Sequence, residues 1–475
     1  MPETLKNYID GKWCESEADD YVNVVNPATE EVVARVALAG EAEVNAAVSA
    51  ARRAFARYSN FTVAERVDLM ESVAARMKER ASEIAQAITT EMGAPVGLAK
   101  AAQFGAALGQ FEHTIKILQA FDFEEEMGPH RIVREPIGVC ALITPWNWPV
   151  ALSIIKIAPA LAAGCTMVHK PSEISPLSAE VFAKVLDDAG VPAGVYNLVH
   201  GDGPGVGTLL SKHPDVDMVS FTGSTRAGVF VAQNAAPTVK RVTQELGGKS
   251  PNIIAESADV AAAVKRGVHQ LLVNSGQSCN APSRMLVPAS ALAEAEAAAT
   301  AALEKVVSGD PKEQSTTLGP VASKAQYDKV QRLIQSALDE GARLVVGGPG
   351  KPEGLETGFH IKPTILSDVT NDMSIAREEV FGPVLVMIPY SGLDEAIDIA
   401  NDTDYGLAGY VQAGTREEAV SIARRLRAGN VHLNGASPSP DLPFGGYKKS
   451  GNGREWGKFG LEEYLEIKAI AGFSD

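Results

Sequence analysis

The sequence predicts an α/β protein with two alternating α/β domains and one projecting hairpin, on three observations. Between residues 138 and 223 the apolar runs GVCALIT, GCTMVHK, VYNLVHG and MVSFTG alternate with helix-like segments such as SPLSAEVFAKVLDDAG, which is the rhythm of βαβ units and a parallel sheet. A second alternating set follows Cys279, with the helix-like SKAQYDKVQRLIQSALDEGA, the strand-like RLVVGG, and then VFGPVLVMIPY and YGLAGYVQAG. A chain of 475 residues suits two or three domains.

Taken in order, residues 41–120 are rich in Ala, Glu, Arg and Met at helical spacing, as in VAERVDLMESVAARMKERASEIAQAI, and predict amphipathic helices without visible chemistry. FEEEMGPHRIVREP predicts two extended pieces around a Gly-Pro turn, a hairpin near 122–136. Residues 289–303 predict an alanine-rich helix, and no fixed-period repeat occurs.

Bulk properties exclude some functions. With 43 basic and 59 acidic residues the net charge is -16, which opposes broad contact with nucleic acid or anionic lipid and favours small-molecule chemistry. Cys14, Cys140, Cys165 and Cys279 are far apart with no CxxC pair, so neither a disulfide framework nor a metal site is signalled. MPETLKNYID lacks the basic-then-apolar pattern of a secretory signal, and apolar stretches are broken by Pro, Gly or Lys before membrane length. The expectation is a cytoplasmic protein with no membrane partner.

Five motifs invite chemistry, each with a plainer alternative. In GQSCNAPSR, Cys279 is either a nucleophile or a small buried residue, since thiol reactivity depends on setting. FTGSTRAG places Gly223 and Gly228 at the ends of a turn after a strand, where N–H groups and a helix N-terminus could meet a pyrophosphate; a turn without ligand is the alternative. It lacks the Lys and Ser/Thr of a triphosphate-binding loop, and GDGPGVG has the wrong spacing for the dinucleotide fingerprint. KPSE follows a strand and sets Lys170 and Glu173 where ribose hydroxyls could bind, against a solvated loop. In TPWNWPVALSIIKIAPALAAG, Pro149 can open a helix with Trp146, Asn147 and Trp148 at its mouth. Asn147 is then an oxyanion donor or a helix cap, and Lys156, the only charge on that helix, is partnered or snorkelling. QELGGKSPN ends a strand on Glu245 before a glycine pair that leaves room around the carboxylate, fit for a general base or an exposed acid.

The order and spacing of PWNWP, KPSE, FTGSTRAG, ELGGKSPN, GQSCNAPSR, EEVFGPV and PFGGYKKSGNGRE resemble the aldehyde dehydrogenase superfamily over essentially the whole chain. The resemblance implies a Rossmann-like cofactor domain over 1–121 and 137–247, an α/β catalytic domain over 248–450, and an oligomerisation arm with the C-terminal segment over 122–136 and 451–475. It implies Cys279 as nucleophile, Glu245 as general base, Asn147 with the Cys279 N–H as oxyanion hole, and Lys156 with Glu455 as proton relay. NAD, with NADP as a second possibility, would be held by Trp146, Lys170, Ser172 and Glu173, by Gly223, Ser224 and Gly228 near the pyrophosphate, and by Glu379 and Phe381 at the nicotinamide ribose. A homo-oligomer, dimer or tetramer, is implied as well.

The implied reaction is NAD(P)-dependent oxidation of an aldehyde to a carboxylic acid through a thiohemiacetal and a thioester. A coenzyme A-acylating semialdehyde dehydrogenase or a catalytically silent protein of the same fold is the alternative; Glu245 opposes the first, and intact Cys279, Glu245 and Asn147 oppose the second. Trp148 stands where Phe is common and GQSCNAP departs from relatives around the cysteine, so substrate identity is the open point. Trp148, Phe444 and the proline-bearing loop NGASPSPDLPFGG suggest an apolar tunnel. A thiol of ordinary pKa is only a few per cent ionised at neutral pH, so the site is expected to raise the thiolate fraction.

Overall fold

The computed structural model describes residues 2–474. Its centre is an eight-stranded sheet in which Thr166–Lys170, Val139–Ile143, Met218–Thr222 and Arg241–Glu245 run parallel and side by side. Side chains alternate across it as the pleat requires. Val139, Ala141 and Ile143 pack toward Glu41–Tyr58, while Cys140 and Leu142 pack on the other face with Val63–Glu79, Gly105–Ala120 and Pro149–Ala163. Burial on both faces explains why these strands read as unbroken apolar runs.

The second sheet has seven strands, with Pro251–Ile254, Arg284–Pro288, Thr364–Ser367, Val384–Tyr390, Ala408–Gln412 and Asn430–Leu433 in parallel pairings and Arg343–Val346 antiparallel at one edge. Val260–Leu272 and Leu292–Leu303 cover one face; Lys324–Asp339 packs on Val384, Val386 and Ile388 of the other. The hairpin forms as Glu124–Met127 and His130–Pro136, and Leu465–Ile470 adds a third strand to it. Glu124 and Glu126 of its first strand pair with Arg131, and Glu125 with Arg134.

The sequence reading placed the first 37 residues in the cofactor domain but assigned them no strands. They hold five short strands: Asn7–Ile9 and Lys12–Cys14 extend the large sheet, while Glu3–Leu5, Tyr21–Val25 and Val32–Ala37 form a sheet of their own. Strands of three residues carry too few alternations to register as a period. Among the described residues no helix is long and apolar enough to cross a membrane.

Candidate active site

In the large sheet the chain runs outward from Val139–Ile143 to Thr166–Lys170 on one side and later to Met218–Thr222 on the other. The strand order therefore reverses between Val139–Ile143 and Met218–Thr222, and open parallel sheets bind ligands beyond the carboxyl ends at such a point. The two strands lead into Trp146–Asn147 and into Gly223–Ser224. Both segments wall a cavity of about 190 Å³ with Glu245, Gly247, Cys279, Glu379 and Phe381. Cys279 and Glu379 precede Arg284–Pro288 and Val384–Tyr390. Carboxyl ends of one sheet thus face amino ends of the other across the cavity.

The residues present fit a dinucleotide. Thr222 Oγ1 is buried in the wall with no protein partner, and Ser224 caps the helix Thr225–Ala235 by accepting from the Ala227 N–H at 3.3 Å. Glu379 accepts from the Gly248 N–H at 2.9 Å, and the Phe381 ring meets Trp146 edge-on at 5.3 Å. Lys170, Ser172 and Glu173 follow the strand on the far side of Val139–Ile143 and do not line this cavity; Lys170 Nζ pairs with Glu173 at 3.2 Å.

Cys279 is half-buried and walls this cavity and a second one. Among the protein groups, burial, then the nearby carboxylates of Glu379, Glu245 and Glu455, push the thiol well up, and the Asn280 N–H only partly opposes them. The Cys279 N–H itself donates to no protein group among the described residues. Asn147 is not a helix cap, because Trp148 takes that position and Pro149 is the first helical residue. Instead the Asn147 amide donates to the Gln277 carbonyl at 3.0 Å, which leaves its second N–H.

A buried amide network holds these donors. Gln103 Nε2 donates to Asn274 Oδ1 at 2.9 Å, Asn274 Nδ2 donates to the Asn147 carbonyl at 2.8 Å, and Gln277 Nε2 donates to the Asn274 carbonyl at 3.1 Å. Asn274 and Ser275 both adopt positive φ, 56° and 55°, which non-glycine residues rarely do in succession. Backbone strain held in place by the surrounding network is a mark of a site that is preorganised. Gly276, at φ 73°, could not carry a side chain, since a Cβ would collide with the Gly382 backbone.

Glu245 ends its strand, is 4% exposed, and neither carboxylate oxygen has a partner among the described residues. Burial, then Glu455, raise its pKa well above the ordinary value, against the pull of Lys156 and Arg454. The room around it is made by Gly445, whose Cβ would lie 2.7 Å from Glu245 Oε1. This corrects the sequence reading: Gly247 faces the Glu379 carboxylate and Gly248 the Cys279 carbonyl. Lys156 does not snorkel; it is 1% exposed and donates to Glu455 Oε1 at 2.6 Å and Ser220 Oγ at 3.1 Å. A buried ion needs such a partner.

The second cavity, about 420 Å³, is apolar. Trp148 and Phe444 line it as expected, with Trp148 Nε1 fixed to Ser278 Oγ at 2.9 Å and Phe444 stacked on Trp456 at 4.9 Å. Pro438 and Pro440 of the loop form one side; Ala106, Gly109 and Gln110 of Gly105–Ala120 form the other. Asn147, Leu152 and Cys279 are common to both cavities.

Gly228 departs from its expected place. It lies within the helix Thr225–Ala235, not at the end of a turn, and packs on Leu246 so closely that a Cβ would sit 2.7 Å from the Leu246 side chain. Sequence reasoning missed Gln103, Asn274, Gln277 and Trp456, and also Gln326 and Lys329, which line the first cavity. Asn274 and Gln277 stand within five residues of Cys279 and were open to discovery; Gln103 lies in a π-helical turn, Ala99–Phe104, remote in sequence.

These features define a two-domain α/β protein with a thiol set where a switch-point cleft meets an apolar cavity. The model of the aldehyde dehydrogenase family matches residues 13–470. The chain is 56% identical over 474 residues to a 3-succinoylsemialdehyde-pyridine dehydrogenase of Pseudomonas sp, covering 100% of this chain and 99% of that protein. Aldehyde dehydrogenase C of Pseudomonas syringae, solved as a cysteine-to-alanine mutant with NAD+ and octanal, superposes with a TM-score of 0.98 at 54% identity, covering 99% of this chain and 97% of that one. An NAD+ complex of the Bacillus cereus aldehyde dehydrogenase superposes with a TM-score of 0.95 at 37% identity, covering 98% and 96%. The chain belongs to the aldehyde dehydrogenase family.

Proposed function

We propose that this protein oxidises an uncharged aldehyde to its carboxylic acid, with NAD as preferred hydride acceptor and Cys279 as nucleophile. The observation that carries the reading is that two cavities, one edged by glycines and the carboxylates of Glu245 and Glu379, one apolar, share Cys279, Asn147 and Leu152 as common wall. NAD complexes of two family members support the cofactor. None of the residues lining the apolar cavity carries a formal charge, and the octanal complex of a relative supports a neutral tail.

NAD, when bound, supplies the hydride acceptor. Glu379, with Phe381 and Trp146 beside it, would hold its nicotinamide ribose in the first cavity, Gly223, Ser224 and Gly228 would lie near its pyrophosphate, and Lys170, Ser172 and Glu173 would hold its adenosine ribose. Cys279 releases its thiol proton to solvent and its sulfur adds to the carbonyl carbon, so that the oxygen gains the charge. Asn147 and the Cys279 N–H, fixed by the amide network before reaction, stabilise that alkoxide. Loss of hydride leaves a thioester on Cys279. Glu245 takes a proton from water, which attacks the thioester; the C–S bond breaks and the acid departs. Lys156 and Glu455, whose charges act on Glu245, would pass its proton on.

The division into a cofactor domain of 1–121 and 137–247, a catalytic domain of 248–450 and an arm of 122–136 with 451–475 belongs to the same proposal. Gly451–Asn452 pairs with Gln244–Glu245, which ties the arm's connection to the cofactor sheet. Exposed Met127 and Ile467 on the arm's three-stranded sheet support a homo-oligomer, dimer or tetramer. Four unpaired thiols support a reducing, cytoplasmic location.

Two experiments test the assignments. Asn147→Ala should lower kcat by roughly 10²- to 10³-fold, about 2.7–4 kcal/mol, the usual cost of one oxyanion donor. NAD affinity measured by calorimetry should hold; its collapse would make Asn147 structural. Glu173→Ser should raise kcat/KM with NADP relative to NAD, because a carboxylate beside the ribose repels a 2′-phosphate and Lys170 offsets only part of that charge. An unchanged ratio would remove Glu173 from the cofactor site.

A further inference from the structure

We infer that Gly109 keeps the apolar cavity open beside the helix Gly105–Ala120 and so lets the enzyme accept aldehydes with long or ring-bearing tails, an inference that rests on the function proposed above. Glycine in a helix interior is destabilising relative to alanine, so its presence in Gly105–Ala120 calls for a cause. Backbone geometry supplies none, because Gly109 has no positive φ. Packing supplies none either: a Cβ built there meets no atom within 4 Å, whereas at Gly228 it would meet Leu246 at 2.7 Å. Gly105 shares both features, so what sets Gly109 apart is its place in the cavity wall.

The open space beside Gly109 belongs to the cavity. Gly109 and Ala106, three residues apart and so on one face of the helix, stand in its wall with Pro438 and Pro440 across from them. One turn further on, His113 Nε2 approaches Asp441 Oδ1 of the same proline loop to 2.9 Å, so helix and loop run close together beside the opening. An aldehyde with its carbonyl at Cys279 extends its tail along Trp148 and Phe444 toward this gap. A branched side chain at 109 would stand in the gap and touch only the far end of the tail. Gly105 is equally open, with nothing within 4 Å of a Cβ, but does not line the cavity, and serves as the control.

The test is kcat/KM for propanal, hexanal, octanal and 3-phenylpropanal in the wild type, in Gly109→Ala, Gly109→Val and Gly109→Leu, and in Gly105→Leu. Gly109→Leu should keep propanal within about twofold while octanal and 3-phenylpropanal fall by roughly 10-fold or more, chiefly through KM, the mark of lost binding far from the reacting atoms. Loss should grade with side-chain size, and Gly109→Ala should melt no lower than the wild type, so the series is read even where the leucine variant folds poorly. Equal losses for propanal and octanal, no loss for either, or the same shift in Gly105→Leu would overturn the inference. Failure of the wild type to reduce NAD with any aldehyde would instead overturn the function itself.

Discussion

Cys279→Ala is expected to abolish NAD-linked aldehyde oxidation, by roughly 10⁴-fold or more, because alanine offers no atom to bond the carbonyl carbon. The cost to the fold should be small: Cys279 is half-buried, walls two cavities, and is not among the side chains of the hydrophobic core. Cys140 and Cys165 give the opposite pattern. Both are fully buried, so their replacement by alanine should lower the melting temperature slightly and leave turnover nearly intact. Absorbance of NADH and thermal melting on the same samples separate the two effects. Near-normal turnover in Cys279→Ala would end its assignment as nucleophile.

Glu245→Gln should trap the reaction halfway. The amide keeps the shape of the carboxylate but takes no proton from water, so acylation proceeds and deacylation stalls. One equivalent of NADH per site should appear quickly, followed by turnover slowed about 10²- to 10⁴-fold, the usual range of a positioned base, with the acyl group visible on Cys279 by mass spectrometry. The pH dependence follows from the environment. Burial and Glu455 raise the Glu245 pKa, so in the wild type the base gains its working, deprotonated form as pH rises through that raised value. Wild-type deacylation should therefore climb with pH, and the glutamine variant should lose that climb. An unchanged steady-state rate without adduct, or a wild type that turns over only with coenzyme A, would return Glu245 to an ordinary buried acid.

Much of the site was legible because its parts are local. Strand ends carry chemistry in a parallel sheet, and Glu245, Gly223 and Lys170 each follow an apolar run that announces the strand. Asn147 precedes a proline able to open a helix, and it does sit at the mouth of one. The oddity of Lys156, one charge on an apolar helix, was visible as well; its partner Glu455, 299 residues away, came only with the family resemblance and is now a 2.6 Å contact.

By itself the sequence determined the two alternating α/β units, the hairpin, and which short segments bear reactive groups, since each depends on periodicity or turn chemistry within a dozen residues. Only the tertiary structure decided what surrounds those groups. Gly445, not the neighbouring Gly247 and Gly248, makes room for Glu245. Gln103 closes the amide network with Asn274 from a helix 171 positions away. The Cys279 thiol is held up rather than down, because burial and carboxylates supplied by three other segments outweigh the adjacent N–H. Ala106 and Gly109 become part of an apolar cavity only when a proline loop from the other end of the chain lies across them. Steric room, dielectric and field at a point are sums over everything nearby in space, and neighbours in space are not encoded in the spacing of any one motif.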